Sequence, residues 1–265
     1  MTIRLLLLSG LTLLTLACSV IFTNGLRAAP SGQPATAPAA GQFPGIAVLE
    51  LFTSEGCSSC PPADQVLNDW VGKAAQQQSP VYPLAFHVDY WDRLGWKDRF
   101  SSAESTARQR AYAAAMNTRQ LYTPQLVVNG SSEFVGSDAR EASRQVATAL
   151  SRPALVGVSI KPEKGKKSSI QVGYEVAGSI EGAVINVAVV ERGLTSVVTR
   201  GENARRSLTH DTVRGFLTAP LDASKGRVEV SFPADMNPRN AKVIGYVQNG
   251  RTLAVLGATE TPFPP

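Results

Sequence analysis

The sequence predicts an α/β domain followed by an all-β domain. From residue 45 to residue 152, short apolar runs alternate with segments of helical periodicity. After Pro153 the chain offers only short strand-like runs, broken by Gly, Pro, Asn and Asp. The 265 residues are 43% hydrophobic and 18% charged, which fits a folded chain long enough for two domains. We therefore expect domains at 45–152 and 153–265, preceded by a targeting segment at 1–29 and a flexible linker at 30–44.

The N-terminus has the pattern of an export signal, since a single positive charge precedes a Leu-rich apolar run at 5–17. Three outcomes stay open: lipidation of Cys18, cleavage near Ala29, or retention as a membrane anchor through the apolar residues 19–22. Each outcome places the body of the protein outside the cytoplasm, in the periplasm or cell envelope. Small and polar residues up to Gly41 form a tether.

The elements of the first domain follow in a β-α-β-α-β-β-α order. Val66, Leu67, Trp70, Val71 and Ala74 repeat at helical spacing after the first strand. Strands are predicted at 46–52, 81–88, 126–128 and 133–135, with further helices at 103–119 and 137–150.

The second domain contains eight strand candidates and no helical pattern, which is typical of a β-sandwich. They lie at 154–161, 168–176, 184–191, 195–199, 207–217, 227–232, 241–248 and 252–258. The only basic cluster in the chain is the lysines at 161, 164, 166 and 167 around Gly165. It fits a solvated hairpin tip, and without interleaved aromatic residues it does not indicate nucleic-acid binding.

Three cysteines are present, and Cys18 belongs to the targeting segment. Cys57 and Cys60 are thus the only pair in the folded part, and two residues separate them at a strand-to-helix junction. This spacing favours a disulfide between them, which an oxidising compartment would maintain. Backbone amides at a helix start favour a thiolate and lower the pKa of a cysteine.

We expect Cys57 to be the nucleophile, because it lies further toward the turn and solvent, and Cys60 to resolve the mixed disulfide. Pro61 disfavours α geometry at Cys60. Neither Pro61 nor Pro62 can donate a hydrogen bond, so the helix should begin at about Pro61. The amides of residues 58–60 would then remain free to face the Cys57 sulfur.

The element order, with C-x-x-C after the first strand and Tyr122-Thr123-Pro124 before a later one, resembles the thioredoxin fold. The resemblance implies that Pro124 is a cis-proline facing the cysteines and that Thr123 offers its backbone to an extended substrate.

Several longer strings resemble a family of exported bacterial thioredoxin-like proteins catalogued as a domain of unknown function. They include CSSCPPAD from Cys57, HVDYWD from His87 and YTPQ from Tyr122, and the similarity extends to residues 201–203 and 208–210. The family implies the fold and no substrate.

Glu50 interrupts the first apolar strand and shares a face with Val48 and Phe52. Thioredoxin-like proteins often carry a buried carboxylate here that deprotonates the resolving thiol. The alternative is a carboxylate at the sheet surface or paired to a basic residue. Glu55 lies closer to the cysteines, and we expect it to be exposed, with a charge that opposes thiolate formation.

His87 and Asp89 suggest a metal site together with the two cysteines, but neither histidine of the chain has a paired-ligand spacing. We expect no metal and no organic cofactor; Cu(I) is the ion that a thiolate pair would suit best.

The leading hypothesis is therefore an exported thiol–disulfide oxidoreductase acting on an envelope protein or a small thiol. A binding or scaffolding protein with a static disulfide is the main alternative, and a Cu(I) carrier ranks below it. The sequence sets neither the direction of electron flow nor the oligomeric state.

Overall fold

The computed structural model describes residues 43–118 and 120–265, which contain three β-sheets and few helices. The first half holds β1 (Ala47–Thr53), α1 (Pro61–Gln77), β2 (Val81–His87), α2 (Ala103–Ala115), β3 (Gln125–Val128), β4 (Ser132–Val135) and α3 (Ala139–Leu150). The second half holds β5 (Gly157–Lys164), β6 (Ser169–Ala177), β7 (Ala183–Val197), β8 (Ser207–Pro220), β9 (Lys225–Ser231), β10 (Ala241–Asn249) and β11 (Val255–Pro262).

The first sheet has the order β2-β1-β3-β4, with β1 parallel to β2 and antiparallel to β3. Leu49 and Leu51 of β1 pack against Leu67 of α1 and Val146 of α3, so these helices cover one face. Val48 and Phe52 point to the opposite face. Every residue of β1 is buried, because both faces of its sheet are covered.

The second sheet, β11-β10-β7-β8, is also buried on both faces at its centre. Along β7, Val187 and Val189 share a core with the third sheet, β5-β6-β9, whereas Ala188 and Val190 share a core with β1 and β2. Strand alternation explains this split. The two halves of the chain are therefore joined by a continuous apolar core that includes Phe52.

Most predicted elements are present within a few residues of their expected bounds, but the second half has seven strands instead of eight. The segments predicted at 184–191 and 195–199 are one strand, β7. Its pairing with β8 shifts register between Glu191 and Leu194, and Gly193 adopts a positive φ of 68° there. The glycine that suggested a break instead forms a bulge within a continuous strand.

Candidate functional site

The two cysteines form a disulfide in the turn between β1 and α1. Their Cα atoms are 5.4 Å apart. The Cys60 amide donates to the Cys57 carbonyl, and the Cys57 amide donates to the Ser54 carbonyl, both at 3.2 Å. Backbone hydrogen bonds therefore hold the turn on both sides of the covalent link.

The helix α1 begins at Pro61, as the two prolines predict. Cys60 nevertheless has α geometry, with φ −77° and ψ −38°, which is the geometry that Pro61 was expected to disfavour. The Cys60 carbonyl accepts from the amides of Ala63 and Asp64 at 2.8 and 3.1 Å. These two helical hydrogen bonds outweigh the steric bias against α geometry before a proline.

Burial does not distinguish the two cysteines. Both Cys57 and Cys60 are 0% exposed, so the prediction that Cys57 lies closer to solvent is wrong. Ser58 and Ser59 between them are exposed, and the Ser59 hydroxyl lies 3.3 Å from the Cys57 sulfur. An external thiol can reach the sulfurs only when residues packed over the turn move.

The connection from β7 to β8 packs over the cysteine turn. Asn203, which is fully buried, donates from its side-chain amide to the carbonyls of Glu55 and Cys57 at 2.9 and 2.8 Å. The Glu202 carboxylate accepts from the Ser58 amide at 3.0 Å. The second half of the chain thus forms part of the site.

Two of the three amides that were expected to face the Cys57 sulfur are engaged elsewhere. The Ser58 amide bonds to Glu202, and the Cys60 amide bonds to the Cys57 carbonyl. The expectation of a free row of donors is therefore wrong, because the β7–β8 connection supplies an acceptor that the sequence pattern of the turn does not reveal.

Pro124 lies beside the start of the cysteine helix. A Cβ placed on Gly136 would meet both Ala63 of α1 and Pro124, at 3.1 and 3.5 Å. The Thr123–Pro124 peptide bond is cis, as the resemblance implies. Trp91, in the loop after β2, donates from its indole nitrogen to the Thr123 hydroxyl at 2.8 Å.

Five ionisable side chains are buried behind the cysteine turn: Glu55, Asp64, His87, Asp98 and His210. His87 Nδ1 and Asp98 Oδ2 are 2.6 Å apart. His210 lies 3.4 Å from Glu55 and 3.8 Å from Asp64, and both of its ring nitrogens lack a hydrogen-bond partner within the described residues. The rings of His87 and His210 meet edge to face, 4.9 Å apart.

These groups shift one another's protonation. Burial alone would lower the pKa of His87, but the charge and hydrogen bond of Asp98 raise it above 6.5. Burial opposes ionisation of Asp98, yet His87 holds its pKa below 3.8. Burial raises the pKa of Asp64, against the opposing charges of both histidines. The cluster therefore combines a stable ion pair with a carboxyl group that retains a proton more readily than usual.

Glu55 belongs to this cluster, and its expected exposure is wrong. Its side chain is 0% exposed, and one carboxylate oxygen accepts from the Trp96 indole at 2.8 Å. Burial would raise its pKa, but the ring of His210, 3.4 Å away, and the hydrogen bond from Trp96 lower it, which favours the charged form. The expectation of a negative charge next to the cysteine turn is thus retained in a buried setting.

Glu50 lies on the face of β1 that points toward the second sheet. Its carboxylate accepts from the Arg108 guanidinium, including a contact of 2.8 Å, and from the hydroxyls of Tyr112 and Tyr246. Glu50 is 1% exposed. This is the alternative of a carboxylate paired to a basic residue, on the face of the sheet opposite to α1.

Asp89 and His87 are each paired with another side chain. The Asp89 carboxylate accepts from the Thr106 hydroxyl at 2.6 Å, and His87 is committed to Asp98. Among residues 43–118 and 120–265, no group of three or more His, Cys, Asp or Glu side chains is arranged to hold a metal ion.

The predicted signal, the tether as far as Gly41 and the lipidation candidate Cys18 lie outside the described residues. Within the described part of the chain, no helix combines the length and the apolar character needed to cross a membrane.

No local pattern in the sequence indicates a role for Asn203, Glu202, Asp98 or His210. The family motif strings at 201–203 and 208–210 do contain three of these residues. These strings were the available signal, and only the fold shows that Glu202 and Asn203 contact the cysteine turn and that His210 lies close to Glu55.

The family model described as "Protein of unknown function (DUF1223)" matches residues 48–248. A crystal structure of a structural-genomics protein from Agrobacterium tumefaciens is similar at 32% identity and a TM-score of 0.59, covering 82% of this chain and 94% of that one. A domain of the outer membrane lipoprotein Omp28 from Porphyromonas gingivalis aligns at 13% identity and a TM-score of 0.27, over 42% of this chain and 90% of that one. No curated protein matches the chain.

Proposed function

Since the chain belongs to this family of unknown function, we propose from the site itself that the protein is an exported thiol–disulfide oxidoreductase. The observation that carries the proposal is the Cys57–Cys60 disulfide at the junction of β1 and α1, with the cis-proline Pro124 near Ala63 in the first turn of α1. Two thiols at such a junction suit repeated making and breaking of a disulfide.

The scaffold supports a thioredoxin-like first domain. The sheet order β2-β1-β3-β4, with α1 and α3 on one face, matches the β-α-β-α-β-β-α arrangement implied by the resemblance. The two antiparallel sheets that share a core in the second half support a sandwich-like second domain.

The reaction is a two-electron exchange. In the reducing direction the Cys57 thiolate attacks one sulfur of a substrate disulfide, forms a mixed disulfide and releases the other substrate sulfur as a thiolate, which takes up a proton. The Cys60 thiol then loses its proton and attacks Cys57, which re-forms the observed disulfide and releases the second substrate thiol. Cys57 takes the first role because its sulfur touches the exposed Ser59.

Thr123 is the proposed docking residue for an extended substrate. Within the described part of the chain, neither its amide nor its carbonyl takes part in a hydrogen bond. Free backbone groups at the start of a strand can pair with an added strand. A partner protein with an extended segment, or a small thiol, would be held next to Pro124 in this way.

Asp64 replaces Glu50 as the proposed proton acceptor. It lies in the first turn of α1, its amide bonds to the Cys60 carbonyl, and its raised pKa suits proton exchange. Asp64→Asn should slow the second, Cys60-dependent step with little effect on mixed-disulfide formation. Stopped-flow kinetics of each step would show this; equal slowing of both steps would remove the assignment.

The proposal is tested by trapping mixed disulfides on a variant that lacks the resolving cysteine. Cys60→Ser, expressed at full length with its export signal, should accumulate mixed disulfides on Cys57, because the resolving thiol is missing. The Cys57→Ser/Cys60→Ser double variant is the matched control and should trap nothing. If Cys60→Ser captures no more than the control under both oxidising and reducing growth, the proposal fails.

A second candidate, a binding protein with a static disulfide, is favoured by one observation: both cysteines are 0% exposed. It predicts that replacing both cysteines lowers stability without removing function in the envelope. A reduction potential below about −300 mV, the range of resistant structural disulfides, would favour it.

A further inference from the structure

The contacts of Glu202 and Asn203 suggest what the second half of the chain does at the cysteine turn. We propose that these two side chains are positioning residues that hold the Cys57–Cys60 pair toward its disulfide form and so make the reduced pair a strong electron donor. This inference rests on the proposed function, and it assigns a direction to the exchange that the sequence leaves open.

Further contacts hold Asn203 and its connection in place against the cysteine turn. Asn203 is 0% exposed, and the Arg206 guanidinium donates to its Oδ1 at 2.7 Å. That bond orients the amide so that its nitrogen faces the carbonyls of Glu55 and Cys57. Gly201 has a positive φ of 73°, and a Cβ there would lie 3.2 Å from the Trp96 Cβ. The connection therefore fits closely against its surroundings.

Glu202 occupies a hydrogen-bond donor that a Cys57 thiolate would need. A cysteine at a helix start becomes acidic when backbone amides are available to its sulfur. The Ser58 amide, next to Cys57, is instead bonded to the Glu202 carboxylate. The hydroxyl and the amide of Ser58 together lower the pKa of Glu202, which keeps a negative charge beside the turn. Both effects disfavour a Cys57 thiolate.

Asn203 also fixes the backbone geometry of the cysteine turn. Asn203 ties together the backbone on either side of Gly56, which fixes the turn that presents Cys57 to Cys60. A turn fixed with its two sulfurs in bonding distance loses less conformational freedom when the disulfide closes. Preorganisation and the missing thiolate stabilisation act in the same direction. Reduced forms that are stabilised make strong oxidants, so a destabilised reduced form makes a reductant.

The exchange with glutathione measures this balance. Two glutathione thiols lose two electrons and become glutathione disulfide, while the Cys57–Cys60 bond accepts both electrons and its sulfurs take up the two protons. The equilibrium constant follows from the fraction of reduced protein, after acid quenching and alkylation, across a series of glutathione buffers.

Three variants of the full-length protein are compared with the wild type. Glu202→Gln keeps an acceptor for the Ser58 amide and removes its charge. Asn203→Ala removes both carbonyl contacts. Glu181→Gln is the control, because it removes one exposed carboxylate that precedes the start of β7, whereas Glu202 follows the end of this strand.

Glu202→Gln should raise the equilibrium constant for reduction about two- to fivefold, the effect of one exposed charge, and high salt should reduce the difference. It should also lower the pH midpoint of Cys57 alkylation. Asn203→Ala should raise the constant about tenfold, which is about 30 mV, as expected for two lost hydrogen bonds. Glu181→Gln should match the wild type. Circular dichroism checks that each variant is folded. If Asn203→Ala does not fold, Glu202→Gln still tests the inference, because Glu202 is exposed.

A Glu202→Gln constant equal to or below the wild-type value, or a Glu181→Gln shift of the same size, overturns the inference. If the wild-type protein stays oxidised in buffers that reduce Glu202→Gln, the inference is supported. If both proteins resist reduction equally, it is overturned. These outcomes are independent of the trapping experiment. If Cys60→Ser captures no mixed disulfide but Glu202→Gln changes the equilibrium constant as expected, only the catalytic role is removed. If Cys60→Ser captures partners but the equilibrium constant does not change, only this inference is removed.

Discussion

Replacing Arg108 by Met should destabilise the fold strongly, because it leaves the Glu50 carboxylate buried without a counter-charge. Arg108 contacts Glu50 at 2.8 Å and the Tyr246 hydroxyl at 2.7 Å, and its side chain is 10% exposed. Burial would lower the pKa of Arg108, but the interaction with Glu50 raises it well above its ordinary value, so the guanidinium stays charged. Removing one partner of a buried pair costs about 3–5 kcal/mol.

Urea unfolding followed by circular dichroism measures this cost, provided that the slope of the transition is unchanged. A double-mutant cycle supplies the control: Glu50→Leu/Arg108→Met should be less destabilised than the sum of its single variants by about 2 kcal/mol or more, since no charge is left unpaired. A cost below about 1 kcal/mol for Arg108→Met, or an additive cycle, would refute the reasoning. Glu50→Gln should also leave the rate of the second, Cys60-dependent step unchanged; a slowed second step would restore Glu50 as the base.

Three further outcomes are expected. Because the pKa of His87 is raised, its protonation stabilises the fold fully below pH 6.5, and this stabilisation is lost as the pH rises through the raised pKa. Because the pKa of Asp98 is lowered, its ionisation stabilises the fold fully above pH 3.8, and this stabilisation is lost as the pH falls through the lowered pKa. Their joint contribution is therefore largest between those values, and Asp98→Asn should remove this dependence from urea unfolding measured across pH; an unchanged profile would contradict it. Gly130→Ala should lower the unfolding free energy by about 2 kcal/mol or more, because φ is +62° and a Cβ would lie 1.9 Å from the Leu253 carbonyl oxygen; a thermal melt equal to wild type would be inconsistent with that contact. Trp91→Phe, which removes the hydrogen bond to the threonine before the cis-proline, should slow mixed-disulfide formation with a peptide several-fold while leaving the glutathione equilibrium unchanged; equal effects on both would assign the tryptophan to the cysteines instead.

The sequence predicted those features that depend on local pattern. The buried run at β1, the helix beginning at Pro61 and the pairing of Cys57 with Cys60 all follow from neighbouring residues. The short strands of the second half were located for the same reason. The split of β7 into two strands was predicted wrongly at Gly193, because a glycine inside a strand pattern marks either a bulge or a break.

The burial of the cysteines could not be predicted, because it depends on a contact 146 positions away along the chain. Asn203 meets Cys57 only after β7 and β8 have extended past the first sheet. The direction of Glu50 was correctly placed by strand alternation, but its partner Arg108 comes from α2, which packs on that face. Local rules gave the face and not the neighbour, so the choice between a base and an ion pair needed the fold.

The reduction potential of the wild-type pair is the measurement that tests the central claim most directly. The oxidoreductase account predicts a reversible two-electron transition in a thiol–disulfide buffer series, with a potential above about −300 mV, where catalytic pairs lie. A disulfide that remains closed in buffers more reducing than this would contradict the account and identify the Cys57–Cys60 bond as a structural link.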